Sequence, residues 1–159
     1  MNKTLSITEW HHLASEGNAP PVRILLNGGS MYPLVRMNRE YVTIAPIQDE
    51  LITGDLILFA SANNDRYVVH RVWEVKSEKV LTWGDNCKMP DGWIRLNNVL
   101  GKVVMIERGK RIIHPNPKKG MLWAKFWHKI KPVYDFFRRI KSGIGHRIKK
   151  WKCEVSGEN

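Results

Sequence analysis

A serine that could act as a nucleophile stands in the Gly-Gly-Ser-Met-Tyr-Pro segment at residues 28–33. A serine hydroxyl is a weak nucleophile at neutral pH, so it needs a base within hydrogen-bond reach and an oxygen left open to a carbonyl carbon. The glycines before Ser30 allow unusual backbone conformations, and Pro33 stiffens the chain after it. Alone, such a segment is equally an ordinary loop. The histidine and aspartates that follow it in chain order favour a serine peptidase.

The candidate base is His70. It lies in residues 66–75, a run rich in β-branched and aromatic residues that predicts a strand. Alternation along a strand places His70 on the same face as Val68 and Val72. A histidine among apolar neighbours often has only a structural role. Because its reference pKa is about 6.5, however, an imidazole can also accept a serine proton near neutral pH.

A histidine base works best when a carboxylate fixes its tautomer and stabilises the imidazolium. The polar loop at residues 84–92 offers Asp85 and Asp91. Each stands beside a glycine, so each also fits a turn aspartate that binds its own backbone. We predict that Asp91 is the third catalytic residue.

The elements that must position these residues are predominantly strands. Apolar runs between residues 22 and 113 are short and bounded by turn residues, which predicts a mainly β, strongly bent and partly closed sheet. A capping box at residues 6–9 predicts a short helix before the sheet. The predicted strands are 22–26, 41–45, 55–60, 66–75, 79–83, 99–106 and 110–113.

Charge separates a C-terminal tail from the rest of the chain. Of the 26 Lys and Arg residues, 12 follow Pro117, against 3 of the 15 Asp and Glu residues, so the tail holds +9 of the net +11. We expect four segments: a helical segment at 1–20, a β peptidase domain at 21–117, a basic helical tail at 118–152 and a flexible C-terminus at 153–159.

Apolar residues recur every three or four positions in this tail, which predicts an amphipathic helix. Pro132 is expected to kink it or divide it in two. Tryptophans and basic residues along such a helix suit an anionic membrane surface, although the apolar stripe could instead pack on the β domain. The stripe residues are Leu122, Phe126, Ile130, Val133, Phe137, Ile140, Ile144, Ile148 and Trp151. The predicted membrane-binding residues are Trp123, Trp127, Lys125, Lys129, Arg138 and Arg139.

Ordered segments of the chain resemble those of signal peptidase I. They are Ser30-Met31-x-Pro33, residues 54–59, 69–72, 84–86 with Asp91, and 100–103. The resemblance covers roughly residues 22–106. Bacterial members usually carry a lysine base, so the histidine resembles the branch found in the endoplasmic reticulum, archaea and some Gram-positive bacteria.

This resemblance implies the fold of that family and a Ser–His–Asp endopeptidase that cleaves a leader or precursor peptide. It also implies small substrate residues on the acyl side of the cut and an extended substrate paired to a strand edge. The triad residues would be Ser30, His70 and Asp91, the site-shaping residues Asp85, Gly29 and Met31, and the oxyanion donor the main-chain N–H of Ser30.

Two features depart from that family. Where its members commonly carry an oxyanion-binding serine, two residues before the nucleophile, this chain has Gly28. Main-chain N–H groups or the Asn27 amide would then bind the oxyanion, and loss of one donor can cost about 100- to 1000-fold in rate. Residues 1–20 also contain no apolar span or signal sequence. We therefore expect a cytoplasmic protein, peripheral on the inner membrane face.

Other residue patterns indicate no cofactor. Cys87 and Cys153 have no disulfide or metal-site spacing, and the six histidines form no metal motif. Cys87 could be a nucleophile, but no triad-like segment surrounds it, and an incidental thiol is the simpler interpretation.

Two further hypotheses belong to other functional classes. One is a nucleic-acid-binding regulator related to LexA-type repressors, with the basic tail on phosphates. That family uses a lysine base, whereas this chain has His70 and no helix-turn-helix pattern. We therefore do not expect nucleic acid as a partner. The other is an inactive relative that only binds peptides, as Gly28 suggests.

Overall fold

The computed structural model describes residues 7–15, 19–61 and 66–155. The chain divides into two compact units, Met1–Ala124 and Lys125–Asn159. The described part of the first unit is built on eight antiparallel strands that form one curled half-barrel sheet. The predicted mainly β class with a bent, partly closed sheet is therefore confirmed.

The elements follow one another with short connections. They are α1 (Ile7–Ser15), β1 (Val22–Leu25), β2 (Tyr41–Ala45), β3 (Leu56–Ser61), β4 (Arg66–Lys76), β5 (Lys79–Trp83), β6 (Gly92–Arg95), β7 (Val99–Arg108), β8 (Arg111–Ile113) and α2 (Pro117–Val155), with one 3-10 turn at Leu96–Asn98.

The order of strands in the sheet is β1-β2-β7-β3-β4-β5-β6, and β8 pairs with β7. β4 is thus an interior strand, whereas β1 and β6 end the order. Each predicted strand is present within one or two residues of its expected bounds, but β6 was not predicted. Its only apolar residues, Trp93 and Ile94, give too short a run to be recognised beside a glycine-containing loop.

Two apolar clusters cover the two faces of the sheet, and β3 contributes to both. Leu56 and Leu58 belong to one cluster, whereas Ile57 and Phe59 belong to the other. Because both of its faces are buried, β3 has a continuous apolar sequence rather than an alternating one.

The helix α1 lies against the first of these clusters through Trp10, which is 1% exposed and donates its indole N–H to the Pro20 carbonyl at 2.6 Å. A Cβ at Gly101 of β7 would stand 2.8 Å from the Trp10 ring. Glycine at this position therefore lets the ring approach the strand closely. The capping residue predicted at Ser6 lies outside the described residues.

The start of α2 belongs to the first unit. The Asn116 side chain accepts a hydrogen bond from the Lys119 N–H at 3.0 Å, and Pro117 takes the first helical position. An Asn cap followed by proline is a strong local signal for a helix start. A Cβ on Gly120 would meet the Arg71 guanidinium, so glycine lets this first turn lie close to β4.

The second unit, Lys125–Asn159, continues α2. The helix runs through Pro132 without a break, so the expected division into two helices is not found. A proline removes one helical hydrogen bond, which a long helix can sustain when its neighbouring turns remain bonded. Residues 156–159 of the predicted flexible C-terminus lie outside the described residues, whereas residues 153–155 are helical.

Candidate active site

The strand β4 holds His70 in a nearly dry position. His70 pairs with Ile57 across the β3–β4 ladder, and its side chain contacts the Phe59 ring at a centroid distance of 6.1 Å. Only 5% of the residue is exposed. Val68 and Val72 lie in the same apolar cluster as Ile57 and Phe59, as the alternation predicted.

Asp91 binds the Nδ1 side of this imidazole. Its Oδ2 lies 2.6 Å from His70 Nδ1 and accepts a second hydrogen bond from the Thr82 hydroxyl at 2.9 Å. The Asp91 N–H in turn donates to the Thr82 carbonyl at 2.9 Å. This arrangement favours the tautomer with the proton on Nδ1 and leaves Nε2 as the acceptor.

Asp85 has a different partner. Its two carboxylate oxygens accept hydrogen bonds from Arg71 Nε at 2.9 Å and from Nη2 at 2.7 Å, and Arg71 also donates to the Gly54 carbonyl at 3.0 Å. Both members of the pair are fully buried. Of the two aspartates left open by the sequence, Asp91 is the one on His70, while Asp85 anchors the loop that carries Gly84.

Ser30 lies in a turn that follows β1 and is tied to the same loop. The Asn86 N–H donates to the Ser30 carbonyl at 2.7 Å, and the Asn86 side chain donates to the Gly29 carbonyl at 3.0 Å. Met31 is 1% exposed and belongs to the first apolar cluster. Gly29 and Met31 thus hold the serine turn from both sides, one through Asn86 and one through the core.

Gly84 brings the two parts together, and its importance was not predicted. A Cβ at this position would stand 2.8 Å from His70 Nε2, 2.9 Å from the Ser30 carbonyl oxygen and 2.7 Å from Cys87 Sγ. Any side chain here would push the serine turn and the imidazole apart. In the sequence, the relevant feature was the glycine that precedes Asp85, and a glycine there is also typical of an ordinary turn.

Cys87 Sγ lies 4.0 Å from His70 Nε2. Within the described chain no hydrogen bond joins the Ser30 hydroxyl to Nε2, although the Ser30 main chain lies next to the imidazole. Catalytic hydrogen bonds are often long without substrate and tighten when it binds.

A cleft of about 650 Å³ adjoins this turn. Of the three predicted catalytic residues, Ser30 lines it. Gly28 also lines it, and a Cβ there would meet nothing within 4 Å. The lining also includes Leu25 of β1, Asn27, and Tyr67 and Val69 of β4.

The surroundings of His70 change its basicity. Burial lowers the pKa of His70, but the hydrogen bond to Asp91 and then the contact with Cys87 outweigh burial and raise the pKa to about 9. The imidazole therefore becomes neutral, and able to accept a proton, only as the pH approaches 9.

The predicted membrane-binding residues of the tail divide into two groups. Trp123 is 42% exposed, and Lys125, Lys129 and Arg138 are also exposed. Trp127 is only 6% exposed and contacts the Tyr134 ring, so the expectation that its indole faces headgroups is corrected.

The predicted stripe is largely at the surface. Leu122, Phe126, Val133 and Phe137 are 71%, 52%, 57% and 58% exposed. The side chain of Arg139 and the stripe residues from Ile140 onward lie outside the part whose side chains are described.

Comparisons with known proteins add no family. No protein-family model matches the chain, and a search of the curated proteins found no match. In the residues described, no three His, Cys, Asp or Glu side chains form a group that could hold a metal ion. No helix in these residues is long and apolar enough to cross a membrane.

Proposed function

We propose that this protein is a serine endopeptidase that resembles signal peptidase I and cleaves a leader or precursor peptide. The observation that carries the proposal is the His70–Asp91 pair beside the Ser30 turn, with Nδ1 and Oδ2 2.6 Å apart. The second ring nitrogen, Nε2, lies beside Gly84, and the missing side chain of Gly84 also leaves room for the Ser30 main chain.

In the proposed mechanism, the Ser30 hydroxyl attacks the scissile carbonyl while His70 Nε2 takes its proton. Asp91 holds the imidazolium that forms, and His70 then returns the proton to the leaving amine. A water molecule repeats the sequence to release the acyl group. Main-chain N–H groups near Ser30 stabilise the oxyanion, because Gly28 offers no hydroxyl for this purpose.

The cleft supports an extended peptide as the substrate. It is lined by residues of β1, whose only strand partner is β2 among the described strands, and by the first residues of β4. An edge strand can add a peptide by main-chain hydrogen bonds. The family resemblance further suggests small residues on the acyl side of the cut.

Attachment to an anionic membrane surface, on the cytoplasmic side of the inner membrane, is the second part of the proposal. The exposed stripe of α2 and the exposed Lys125 and Lys129 support it. Apolar side chains at the headgroup boundary and nearby lysines would each contribute to binding.

The direct test is a peptide library rich in small residues, incubated with the protein in the presence of anionic vesicles and read by mass spectrometry. Ser30→Ala should abolish cleavage, and Ser77→Ala, at an exposed turn, should not change it. Cleavage that survives Ser30→Ala contradicts the proposal. Binding of the same peptides without any cleavage would favour an inactive peptide-binding relative, as Gly28 and the missing Ser30–Nε2 hydrogen bond would allow.

Gly28→Ser tests the oxyanion site. Space for a Cβ is open at this position, so the hydroxyl can be added without displacing a neighbour. If the missing donor limits turnover, kcat should rise, by as much as about 100-fold. An unchanged kcat would show that main-chain donors already suffice. Gly92→Ser is unsuitable as a control because of its positive φ, whereas Asn98→Ser leaves the serine turn untouched.

A further inference from the structure

The thiol of Cys87 lies where the proposed mechanism needs the serine hydroxyl to be. Its Sγ is 4.0 Å from His70 Nε2, and the other ring nitrogen is already bound to Asp91. The imidazole is 5% exposed, so few polar atoms can reach it. Cys87, His70 and Asp91 therefore form a second constellation of nucleophile, base and orienting carboxylate on the same histidine.

The loop holds this thiol in place. The Cys87 N–H donates to the Gly84 carbonyl at 2.9 Å, and the Cys87 carbonyl accepts the Trp83 indole N–H at 3.2 Å. Glycine at position 84 allows this contact, since a Cβ there would stand within 3 Å of both Sγ and Nε2. Cys87 itself is only half-buried, which leaves its sulfur within reach of a small molecule.

We propose that Cys87 is a covalent modification site for small disulfides, activated by His70. The thiol proton is lost to solvent, and the thiolate, stabilised by the His70 imidazolium, attacks one sulfur of a disulfide R–S–S–R. A bond forms between Sγ and that sulfur as the R–S–S–R bond breaks. The second R–S⁻ leaves and takes a proton from solvent as R–SH. The Cys87 sulfur is oxidised and the departing sulfur is reduced, so no further reactant is needed.

The mixed disulfide would occupy the space beside Nε2. His70 could then no longer receive a proton from Ser30, so the modified protein should lose peptide cleavage until a dithiol removes the group. This consequence rests on the proposed function, whereas the reactivity of the thiol does not.

The charged groups near Cys87 and His70 belong to the loop at residues 84–92 and to β4. Asp91 faces His70 from the loop before β6 and favours the imidazolium, which in turn favours the thiolate. Asp85 and Arg71 lie close by in the chain, but they neutralise each other through two hydrogen bonds. The exposed Lys88 follows Cys87 and also favours a thiolate.

The test measures the thiol directly. In a Cys153→Ser background Cys87 is the only thiol, and the probe is the chromogenic disulfide dithiobis(nitrobenzoate). An unpaired thiol is only a few per cent thiolate at pH 7. We expect Cys87 to react about tenfold faster at pH 7 with His70 than with His70→Gln, after each rate is divided by its own rate near pH 10, where any thiol is ionised. Equal normalised rates would overturn the proposal.

Normalisation at high pH separates activation from a change in access, because a loosened loop would raise the rate at every pH. Asp91→Asn keeps the imidazole and serves if His70→Gln does not fold. It should also lower the normalised rate at pH 7, and an unchanged rate would count against activation by the pair.

A second measurement separates this proposal from the peptidase. Ser30→Ala should retain the fast thiol while losing peptide cleavage. In the unaltered protein the disulfide should abolish cleavage, and in Cys87→Ala the treated and untreated samples should cleave equally. If no protein cleaves peptides but the fast thiol persists, the peptidase fails and the modification site stands. If the disulfide modifies Cys87 and cleavage continues, the blocking of His70 is wrong.

Discussion

Two neighbouring residues of β4, His70 and Arg71, each bind an aspartate from the same loop, but the two pairs differ in exposure and in chemistry. Arg71 and Asp85 are at most 2% exposed, and two hydrogen bonds join them. In the other pair, the Asp91 side chain is 25% exposed and His70 can gain or lose its proton. The first pair carries fixed charges, since arginine does not lose its proton in proteins.

This difference separates structure from chemistry within one loop. Removing one partner of a buried ion pair strongly destabilises the fold, because the other charge is left unpaired in a dry environment. A titratable pair next to a nucleophile can instead pass a proton during a reaction. In the proposed mechanism, Asp85 thus holds the loop in position and Asp91 orients the base.

The largest effect is expected when the carboxylate of Asp91, the proposed catalytic one, is neutralised. Asp91→Asn should lower kcat by about 10⁴-fold, because the amide no longer favours the imidazole tautomer that accepts a proton at Nε2. Near pH 10 the midpoint of thermal unfolding should change little, because the stabilisation that Asp91 provides through the raised pKa of His70 is lost above about pH 9. Steady-state cleavage and a melting curve check both. A loss of activity smaller than tenfold would remove Asp91 from the proposed triad.

The matched change in the other pair should have the opposite pattern. Asp85→Asn leaves the buried Arg71 without its counter-charge, and we expect a loss of about 3–5 kcal/mol in the free energy of unfolding. Where the variant is still folded, its cleavage rate should stay closer to the native value than that of Asp91→Asn. Urea unfolding measures the first effect. An unchanged urea midpoint would mean that the Arg71–Asp85 pair does not hold the loop.

The pH dependence sharpens the comparison, because the raised pKa of His70 makes the proposed base depend on pH. With the pKa of His70 raised to about 9, kcat/KM should rise roughly 50-fold from pH 7 to pH 9 as the imidazole becomes neutral. In Asp91→Asn the inflection should move to lower pH, since the hydrogen bond to Asp91 is a cause of the increase. A profile that is already flat at pH 7 would contradict this assignment.

The same shift affects stability. The folded-state pKa lies above the unfolded value, so its contribution to the free energy of unfolding is fully present below about pH 6.5 and is lost as the pH rises through about 9. The expected loss is up to about 3 kcal/mol. His70→Gln should show no such decrease over this range in urea titrations at several pH values.

The smallest expected effect comes from exposed charges that belong to neither pair. Replacing Lys125 and Lys129 by glutamine should weaken binding to anionic vesicles by about 30-fold, at about 1 kcal/mol for each lysine. Cleavage of a soluble peptide should not change. The control replaces Lys76 and Lys79, also exposed, on the β unit. Equal vesicle binding by both double variants would contradict a role for the tail lysines.

Much of the fold could be predicted because it depends on local patterns. Alternation and turn residues gave the strands that flank His70 and the face on which it lies. β6 was missed because two apolar residues carry too little periodicity. The continuity of α2 through Pro132 was also missed, since its neighbouring turns sustain the helix despite one lost hydrogen bond.

The site was predictable only in part, because its geometry depends on contacts between distant segments. The sequence suggested the serine and the histidine and favoured Asp91 over Asp85, but it could not show that Arg71 binds Asp85. The closeness of Cys87 to Nε2 depends on how the loop folds back across β4. Periodicity in the tail likewise could not show that Trp127 is buried.

The measurement that tests the triad most directly is covalent labelling by a serine-reactive fluorophosphonate, which needs no knowledge of the substrate. The unaltered protein should gain one adduct, mapped by mass spectrometry to Ser30, and His70→Gln should label at least about 100-fold more slowly. Labelling of Ser30 at equal rates in both proteins, or no labelling at all, would contradict activation of Ser30 by His70.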